Sequence, residues 1–351
     1  MPEPPRAPSP PRNRAASRPA AARRVLVAGA SGYTGALAAR LVDRHPELEL
    51  TAVTSRSDVG RSLAELYPRH RVDRPLEELD LDRHADVDAA IVAYPHGAAA
   101  PVVAALRERD VSVVDLSADF RLRDVAVYEQ WYVEHPAREL LDEAVYGLPE
   151  LHRDELAGAT LVANPGCYPT ATLLALAPLA RAGVMRDVIV DAKSGVSGAG
   201  RAATQTTHFV EADENVTPYG VGRHRHMPEI DQELAALGAP VTTTFTPHLL
   251  PLDQGELVSC YVTLDGSPGD LRALYEDAYA GEPFVELADR PPGVRDVRDT
   301  NVARIHVHGD ARTGKVFVFC AIDNLWKGAS SQAVQNLNVM LGLPETLGLQ
   351  P

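Results

Sequence analysis

Cysteine is scarce in this chain. There are three, Cys167, Cys260 and Cys320, in 351 residues. So small and odd a number excludes a disulfide framework and fits a reducing compartment, so the cytoplasm is expected. Long apolar runs are missing as well. Nothing approaches the ~20 consecutive apolar residues of a membrane-spanning helix, and the start lacks the apolar stretch of a secretion signal. Positive charge is in deficit: the formal net charge is −14. That excludes general nucleic-acid binding and requires a local basic pocket for any anionic substrate. Lysine is nearly absent, with only Lys193, Lys315 and Lys327 among 34 basic residues, a bias best read as compositional. A metal-ligand set is lacking too. His224/His226 and His306/His308 are each two apart, but neither pair has a third ligand at a recognisable spacing, and no metal is expected.

Apolar residues make up 45% and charged residues 23%, ordinary for a packed globular chain. Single cores rarely grow much past ~250 residues, so this length implies two domains. Residues 1–22 are Pro, Ala and Arg with almost nothing apolar to bury, and read as a disordered tail.

From residue 23 on, short apolar strands alternate with helical stretches. Val25–Ala28, Leu48–Thr54, Ala89–Ala93 and Val111–Asp115 are predicted strands; Ala36–Arg44 and Ala98–Arg109 are predicted helices. That pitch indicates βαβ units in a parallel sheet, which binds ligands at the carboxyl ends of its strands. Beyond Pro169 a helix over 171–182 leads into longer alternating strands: 188–192, 241–246, 256–264, 303–308 and 316–322. The second domain is therefore predicted as α+β with a mainly antiparallel sheet. A last helix, 330–341, is expected to return to the first domain. The predicted boundaries are 23–165, completed by about 325–351, and 166–324.

The first strand runs into Gly29-Ala30-Ser31-Gly32-Tyr33-Thr34-Gly35, a G-x-x-G-x-x-G turn opening a helix. Glycines let backbone approach a pyrophosphate, and the helix N-terminus offers free N–H groups. The second strand ends in Thr54-Ser55-Arg56-Ser57, where NAD sites usually carry an acidic residue. A guanidinium beside hydroxyls suits a 2′-phosphate, so NADP is favoured over NAD.

Cys167 stands in Asn164-Pro165-Gly166-Cys167-Tyr168-Pro169-Thr170, between a Pro-Gly turn and a helix predicted to begin near Pro169. A helix N-terminus lowers a thiol's pKa and holds a developing oxyanion, so Cys167 is the candidate nucleophile. Cys260 and Cys320 fall inside alternating strands and fit small core residues. Asp115 and Asp119 read as turn formers or caps.

Eight segments in order carry a family resemblance: GASGYTG (29–35), PHG (95–97), DLSADFRL (115–122), YGLPEL (146–151), NPGCYPT (164–170), SGVSGAGR (194–201), HRHMPEI (224–230) and DNLWKGA (323–329). Over residues 23–342 the chain resembles the N-acetyl-γ-glutamyl-phosphate reductase family of the semialdehyde-dehydrogenase superfamily. The resemblance implies a Rossmann domain joined to a glyceraldehyde-phosphate-dehydrogenase-like catalytic domain, and a homo-oligomer. It implies reduction of an acyl phosphate to an aldehyde with NADPH, through a thioester on Cys167 and with His224 as acid–base partner. Gly29, Ser31, Gly32, Tyr33, Thr34 and Gly35 then fall on the pyrophosphate loop, and Ser55 and Arg56 where a 2′-phosphate is held. Pro95, His96 and Gly97 lie beneath the cofactor, with Ser197, Gly198, Asn324 and Lys327 towards its nicotinamide. Arg121, Lys193, Arg201 and Arg225 are candidate holders of substrate anions, and Asn164, Tyr219, His226 and Glu229 further substrate-side residues. Two alternatives stay open: a reductase of carrier-protein-linked aminoadipyl phosphate, and a non-catalytic NADP-sensing module.

Overall fold

The computed structural model describes residues 22–350; the predicted tail up to residue 21 lies outside the described residues. The first sheet comprises β1 (Arg23–Ala28), β2 (Leu48–Thr54), β3 (Leu76–Glu77), β4 (Ala89–Val92), β5 (Ser112–Asp115), β6 (Val145–Tyr146) and β7 (Leu161–Ala163). Their order is β3-β2-β1-β4-β5-β7-β6 and every pairing is parallel. Such a sheet must be covered on both faces, and β1 shows how. Val25 and Val27 join the core under the helix Tyr33–Asp43, whereas Leu26 and Ala28 join the core under the helix Ala100–Arg107. Strand order reverses beside β1, between the chains leading to β2 and β4. A ligand crevice therefore opens at the carboxyl end of β1.

The second sheet comprises β8 (Met185–Gly195), β9 (Thr217–Pro218), β10 (Thr244–Leu250), β11 (Glu256–Leu264), β12 (Val285–Leu287), β13 (Ala303–Asp310) and β14 (Lys315–Ile322), in the order β12-β13-β14-β11-β8-β10-β9. It is mixed: β8–β10 and β12–β13 are parallel, and the other pairings antiparallel. One face is covered by the helix Cys167–Arg181, buried from Tyr168 through Ala180. A helix apolar on all sides belongs inside. Pro178 within it cannot donate to the Leu174 carbonyl, and the Tyr279 hydroxyl donates to that carbonyl instead. Tyr275 OH donates likewise to the Ala175 carbonyl (2.6 Å).

The chain then returns to the first sheet. Leu325, Trp326, Val334, Leu337 and Met340 share a core with β1 and the helix Tyr33–Asp43, and Ser330 Oγ donates to the Thr34 carbonyl (2.8 Å). Long periodic elements lie within a few residues of their predicted spans. Sequence periodicity missed β3, β6, β7, β9 and β12, which at two or three residues are too short to show one.

Candidate active site

A cleft of about 1060 Å³ lies between the two sheets. Its walls bring together the start of the Tyr33–Asp43 helix, the turn before Cys167, the His224–His226 segment and Asn324. Each wall follows from local sequence. Gly29 has φ +89°, and a Cβ there would lie 2.6 Å from the Ala93 carbonyl oxygen; a Cβ on Gly35 would lie 2.3 Å from Gly29 O. Both glycines are required by close packing and stand behind the cleft. Gly32, by contrast, could carry a Cβ without a clash, the nearest atom being Gly29 O at 3.8 Å, and is the N-cap, with no side chain capping the helix. The first-turn N–H groups of Tyr33 and Thr34 thus open on the cleft without a capping side chain, which fits a dinucleotide's pyrophosphate.

At the adenosine end the structure revises the sequence reading. Ser55 is buried; its hydroxyl donates to Ser31 Oγ (2.8 Å) and accepts from the N–H groups of Ser57 and Asp58, so it shapes the turn and has no proton left for a phosphate. Arg56 is exposed, its guanidinium 4.6 Å from the centre of the Tyr94 ring. A carboxylate does stand nearby. Asp58 is paired with Arg201 (2.7 Å), whose hydrogen bond, joined by one from Ser57, holds it down to about 2. Arg201 also donates to the Ser31 carbonyl (3.3 Å). It thus ties the glycine-rich turn to the cofactor loop while lining the cleft, where it was expected to meet the substrate's anions.

The helix begins at Cys167 itself, two residues before Pro169. The turn beneath it is held by a buried carboxylate. Glu229 accepts from Gly166 N–H (2.9 Å), Tyr146 OH (2.8 Å) and Arg121 (3.3 Å). Arg121 further donates to the Asn164 and Leu116 carbonyls, at 2.7 and 2.8 Å. Asn164 is fully buried and accepts from Asn336 (3.0 Å). Arg121 lines the cleft while its guanidinium donates to Asn164, Glu229 and Leu116; Asn164 and Glu229 face the interior. All three hold the turn before Cys167. Lys193 is displaced further. Successive residues of β8 point to opposite faces, and its ammonium meets Asp191 (2.6 Å) on the face away from the cleft helix. Lys327, expected near nicotinamide, is wholly buried against Glu150 (2.6 Å) and Gln335 (2.8 Å).

Asn324 does line the cleft. It accepts from Gly255 N–H (2.7 Å) and donates to Ser197 Oγ (3.0 Å), joining β11 to the glycine-rich turn. Pro95, His96, Ser197 and Gly198 also line it, while Gly97 is held behind by Asp119, which accepts from its N–H (2.7 Å). Asp119 likewise accepts from Ala100 N–H (3.0 Å), capping that helix from a distance.

The two-residue spacing of His224 and His226 would put both rings on one face only in a strand. They occupy a turn, with His226 the N-cap of the helix Met227–Ala236 and Pro228 within its first positions. Their rings lie nearly perpendicular, centres 4.9 Å apart, and both border the cleft. Neither titrates near neutrality. Burial, then Arg225, pushes His224 down to about 4; burial, then His224 and Arg121, holds His226 well below its ordinary value. Tyr219 OH lies 3.1 Å from Tyr168 OH. Arg225, with its guanidinium 5.5 Å from the Tyr132 ring centre, and Arg223 line the cleft, and neither makes an ion pair among the described residues.

The thiol itself departs from expectation. Burial raises the Cys167 pKa well above its ordinary value, and Glu256 raises it further; the Tyr168 N–H and Arg121 only partly offset this. Desolvation outweighs the helix terminus. Glu256 and Arg223 were missed from sequence. The one signal for Glu256 was a carboxylate opening an apolar alternating strand, Glu256–Leu264.

Two family models match in succession: "Semialdehyde dehydrogenase, NAD binding domain" over residues 24–159, and "Semialdehyde dehydrogenase, dimerisation domain" over 167–324. A protein of Moorella thermoacetica named N-acetyl-gamma-glutamyl-phosphate reductase is 51% identical over 92% of this chain and 97% of its own. One of the same name from Desulforudis audaxviator is 50% identical over 93% and 97%. Among solved structures, aspartate semialdehyde dehydrogenase II of Vibrio cholerae superposes with a TM-score of 0.71 at 19% identity, covering 92% of this chain and 99% of that one. The aspartate semialdehyde dehydrogenase of Candida albicans, solved with NADP, gives 0.67 at 13%, covering 92% and 99%. These two share the fold.

Proposed function

The chain belongs to the N-acetyl-gamma-glutamyl-phosphate reductase family, and on that premise we propose that it converts N-acetyl-γ-glutamyl phosphate to the semialdehyde with release of phosphate, using NADPH. The observation that carries this reading is a single cleft in which an uncapped helix start at Gly32 and a cysteine at a second helix start face the same space.

Cys167 Sγ attacks the acyl carbon, the C–O bond to phosphate breaks, and a thioester forms. The Tyr168 N–H, which points to the sulfur, opens a helix whose positive end favours the developing oxyanion. NADPH, when bound, supplies hydride to the thioester carbon, and the C–S bond then breaks to leave the aldehyde. The phosphate oxygen departs with the C–O electron pair and needs a proton, for which His224 is the candidate donor. An imidazole held neutral donates poorly, but the substrate's anionic groups beside it would offset Arg225 and raise its pKa. Arg223 and Arg225, free of carboxylate partners among the described residues, suit those anions. At the far end Arg56 supports NADP: Arg201 neutralises Asp58, leaving the Arg56 guanidinium exposed beside Tyr94.

The test runs the reaction backwards. N-acetylglutamate semialdehyde, phosphate and NADP+ should yield NADPH, at a rate that vanishes without phosphate. Turnover only with a carrier-bound aminoadipate semialdehyde, or none at all, would overturn the reading. Arg56→Ala should raise the KM for NADP+ by about 10- to 100-fold, equivalent to losing a charged hydrogen bond of about 1.5–3 kcal/mol, and leave that for NAD+ nearly unchanged.

A further inference from the structure

His152 is held between two carboxylates. Its Nδ1 lies 3.0 Å from Glu155 and its Nε2 3.0 Å from Glu233. A neutral imidazole has one N–H, so both nitrogens donate only when the ring is protonated. The helix Pro149–Leu156 is kinked at this residue, with φ −131° and ψ 24°, and the ring packs edge-on to Tyr146, centres 5.8 Å apart. Glu233 is wholly buried, accepts from Gln232 (2.9 Å) and pairs with Arg123 (2.9 Å).

Glu233 stands on the helix Met227–Ala236, one turn beyond Glu229 and two beyond His226, the N-cap. Residues at that spacing share a helix face. The stripe they form runs to the nucleophile's turn. Glu229 accepts from Gly166 N–H (2.9 Å), and a Cβ on Gly166 would sit 2.5 Å from His226 Nε2. A helix carries a displacement along its length as a rigid element, so what fixes Glu233 also fixes both contacts at Gly166.

We propose that His152 is a positioning residue: its imidazolium ties Glu233 to the helix Pro149–Leu156 and so holds Glu229 and His226 against the turn that carries Cys167. This rests on the role proposed above for Cys167. Losing the proton takes one of two cations from Glu233 and leaves Arg123, whose side chain is half exposed. Glu229 and Glu233 are like charges four residues apart on one helix, an arrangement that repels unless each is paired. With His152 neutral, that repulsion loosens the start of the helix from Gly166.

Burial pulls the His152 pKa down, but Glu233 and then Glu155 overrule it and hold it above the ordinary 6.5. The other charged groups on the packed elements are committed elsewhere. Arg121 pairs with Glu229, and Arg153, the next residue, with Glu282 and Glu345. The C-terminal helix Ser331–Met340 packs on this one through Gln335 and bears no ionisable side chain, and Lys327 before it pairs with Glu150. A raised histidine pKa makes the clamp complete below about pH 6.5 and releases it as pH climbs through the folded-state value. His224 and His226 stay neutral over that range, which leaves the response near neutrality to His152.

The experiment labels Cys167 of the intact, ligand-free chain with iodoacetamide from about pH 6 to about pH 9, read by peptide mass. Wild type is compared with His152→Gln, which keeps an N–H for Glu233 and carries no charge. The two labelling rates should differ at least about three-fold at the acid end and converge at the alkaline end, tracing one proton. The kcat for phosphate-dependent NADPH formation should fall in the variant by a similar factor at the acid end, with the KM for NADP+ nearly unchanged. A ratio of rates that stays constant over the range marks a purely structural role and overturns the proposal. Should His152→Gln not fold, Glu155→Gln decides. Glu155 is exposed, and neutralising it lowers the His152 pKa, so this variant and wild type should differ only in a window near neutrality and agree on either side. Agreement throughout overturns the proposal. The labelling needs neither cofactor nor substrate, so absence of turnover with the labelling pattern intact would sink the proposed function and leave the clamp standing.

Discussion

At the scale of single residues, His224 and His226 share a motif and differ in surroundings. His224 Nδ1 accepts from the His226 backbone N–H (3.2 Å), which fixes its ring with Nε2 remaining for the cleft. His226 lies against Gly166 and Arg121, and its buried Nδ1 has no partner. His224 is thus the better placed to exchange a proton with substrate oxygen, and His226 to shape the floor under the acyl group. His224→Asn should lower kcat by about 10²–10⁴-fold with little change in KM, as expected for a lost acid–base group. His226→Asn should act mainly on KM. Steady-state kinetics of the reverse reaction distinguishes them, and the opposite pattern would transfer the role to His226.

At the scale of elements, two helices begin where chemistry is needed and neither is capped by its own N-cap side chain. The Cys167 helix is positioned from below. Glu229, on the helix Met227–Ala236, fixes Gly166 N–H and balances Arg121 at the same time. Burial nonetheless raises the Glu229 pKa above the ordinary carboxylate value, against the pull of Arg121, Gly166 N–H and Tyr146 OH. Glu229→Ala would leave a buried guanidinium without its counter-charge. Breaking such a pair costs about 3–5 kcal/mol. Urea denaturation should show that loss, and Cys167 in the folded fraction should alkylate at an altered rate because its turn has lost an anchor. A stability change under 1 kcal/mol would show that Arg121 finds compensation elsewhere.

At the scale of the whole molecule, the return of the C-terminal helix locks the two sheets around the cleft. Lys327 and Gln335 converge on Glu150, and Gln335 also reaches Glu345, which pairs with Arg153. Burial by itself would push the Glu150 carboxyl up; Lys327 overrides it and holds the carboxyl below its usual range. A depressed folded-state pKa stabilises above the unfolded value and is lost as pH falls. Lys327→Met reverses the sign: an unpaired buried Glu150 has a raised pKa and destabilises increasingly as pH rises. The variant should lose about 3–5 kcal/mol, with a melting temperature that falls between about pH 5 and pH 8. A melting temperature that rises over that range would show that Glu150 stays paired.

The sequence by itself determined the longer elements and singled out Cys167 as the candidate nucleophile. Buried strands such as Val25–Ala28 and Leu48–Thr54 are written in local apolar runs, and the glycine loop and the Pro-Gly-Cys turn are local backbone chemistry that any reader of the chain meets directly. The tertiary structure decided which polar side chains face the cleft. Arg121, Asn164, Lys193, Glu229 and Lys327 carry the chemistry of substrate or cofactor binding, yet each is claimed by a partner 2 to 177 residues away, Asp191 for Lys193 and Glu150 for Lys327 marking the extremes. Arg201 was drawn to Asp58 and the cofactor loop by the same means. The thiol's ionisation was decided there too. Helix position is local and argues for a low pKa, but burial and the approach of Glu256 are products of β11 lying beside that helix, and desolvation is the larger effect. Local sequence fixes what a residue offers; only packing fixes which partner takes it.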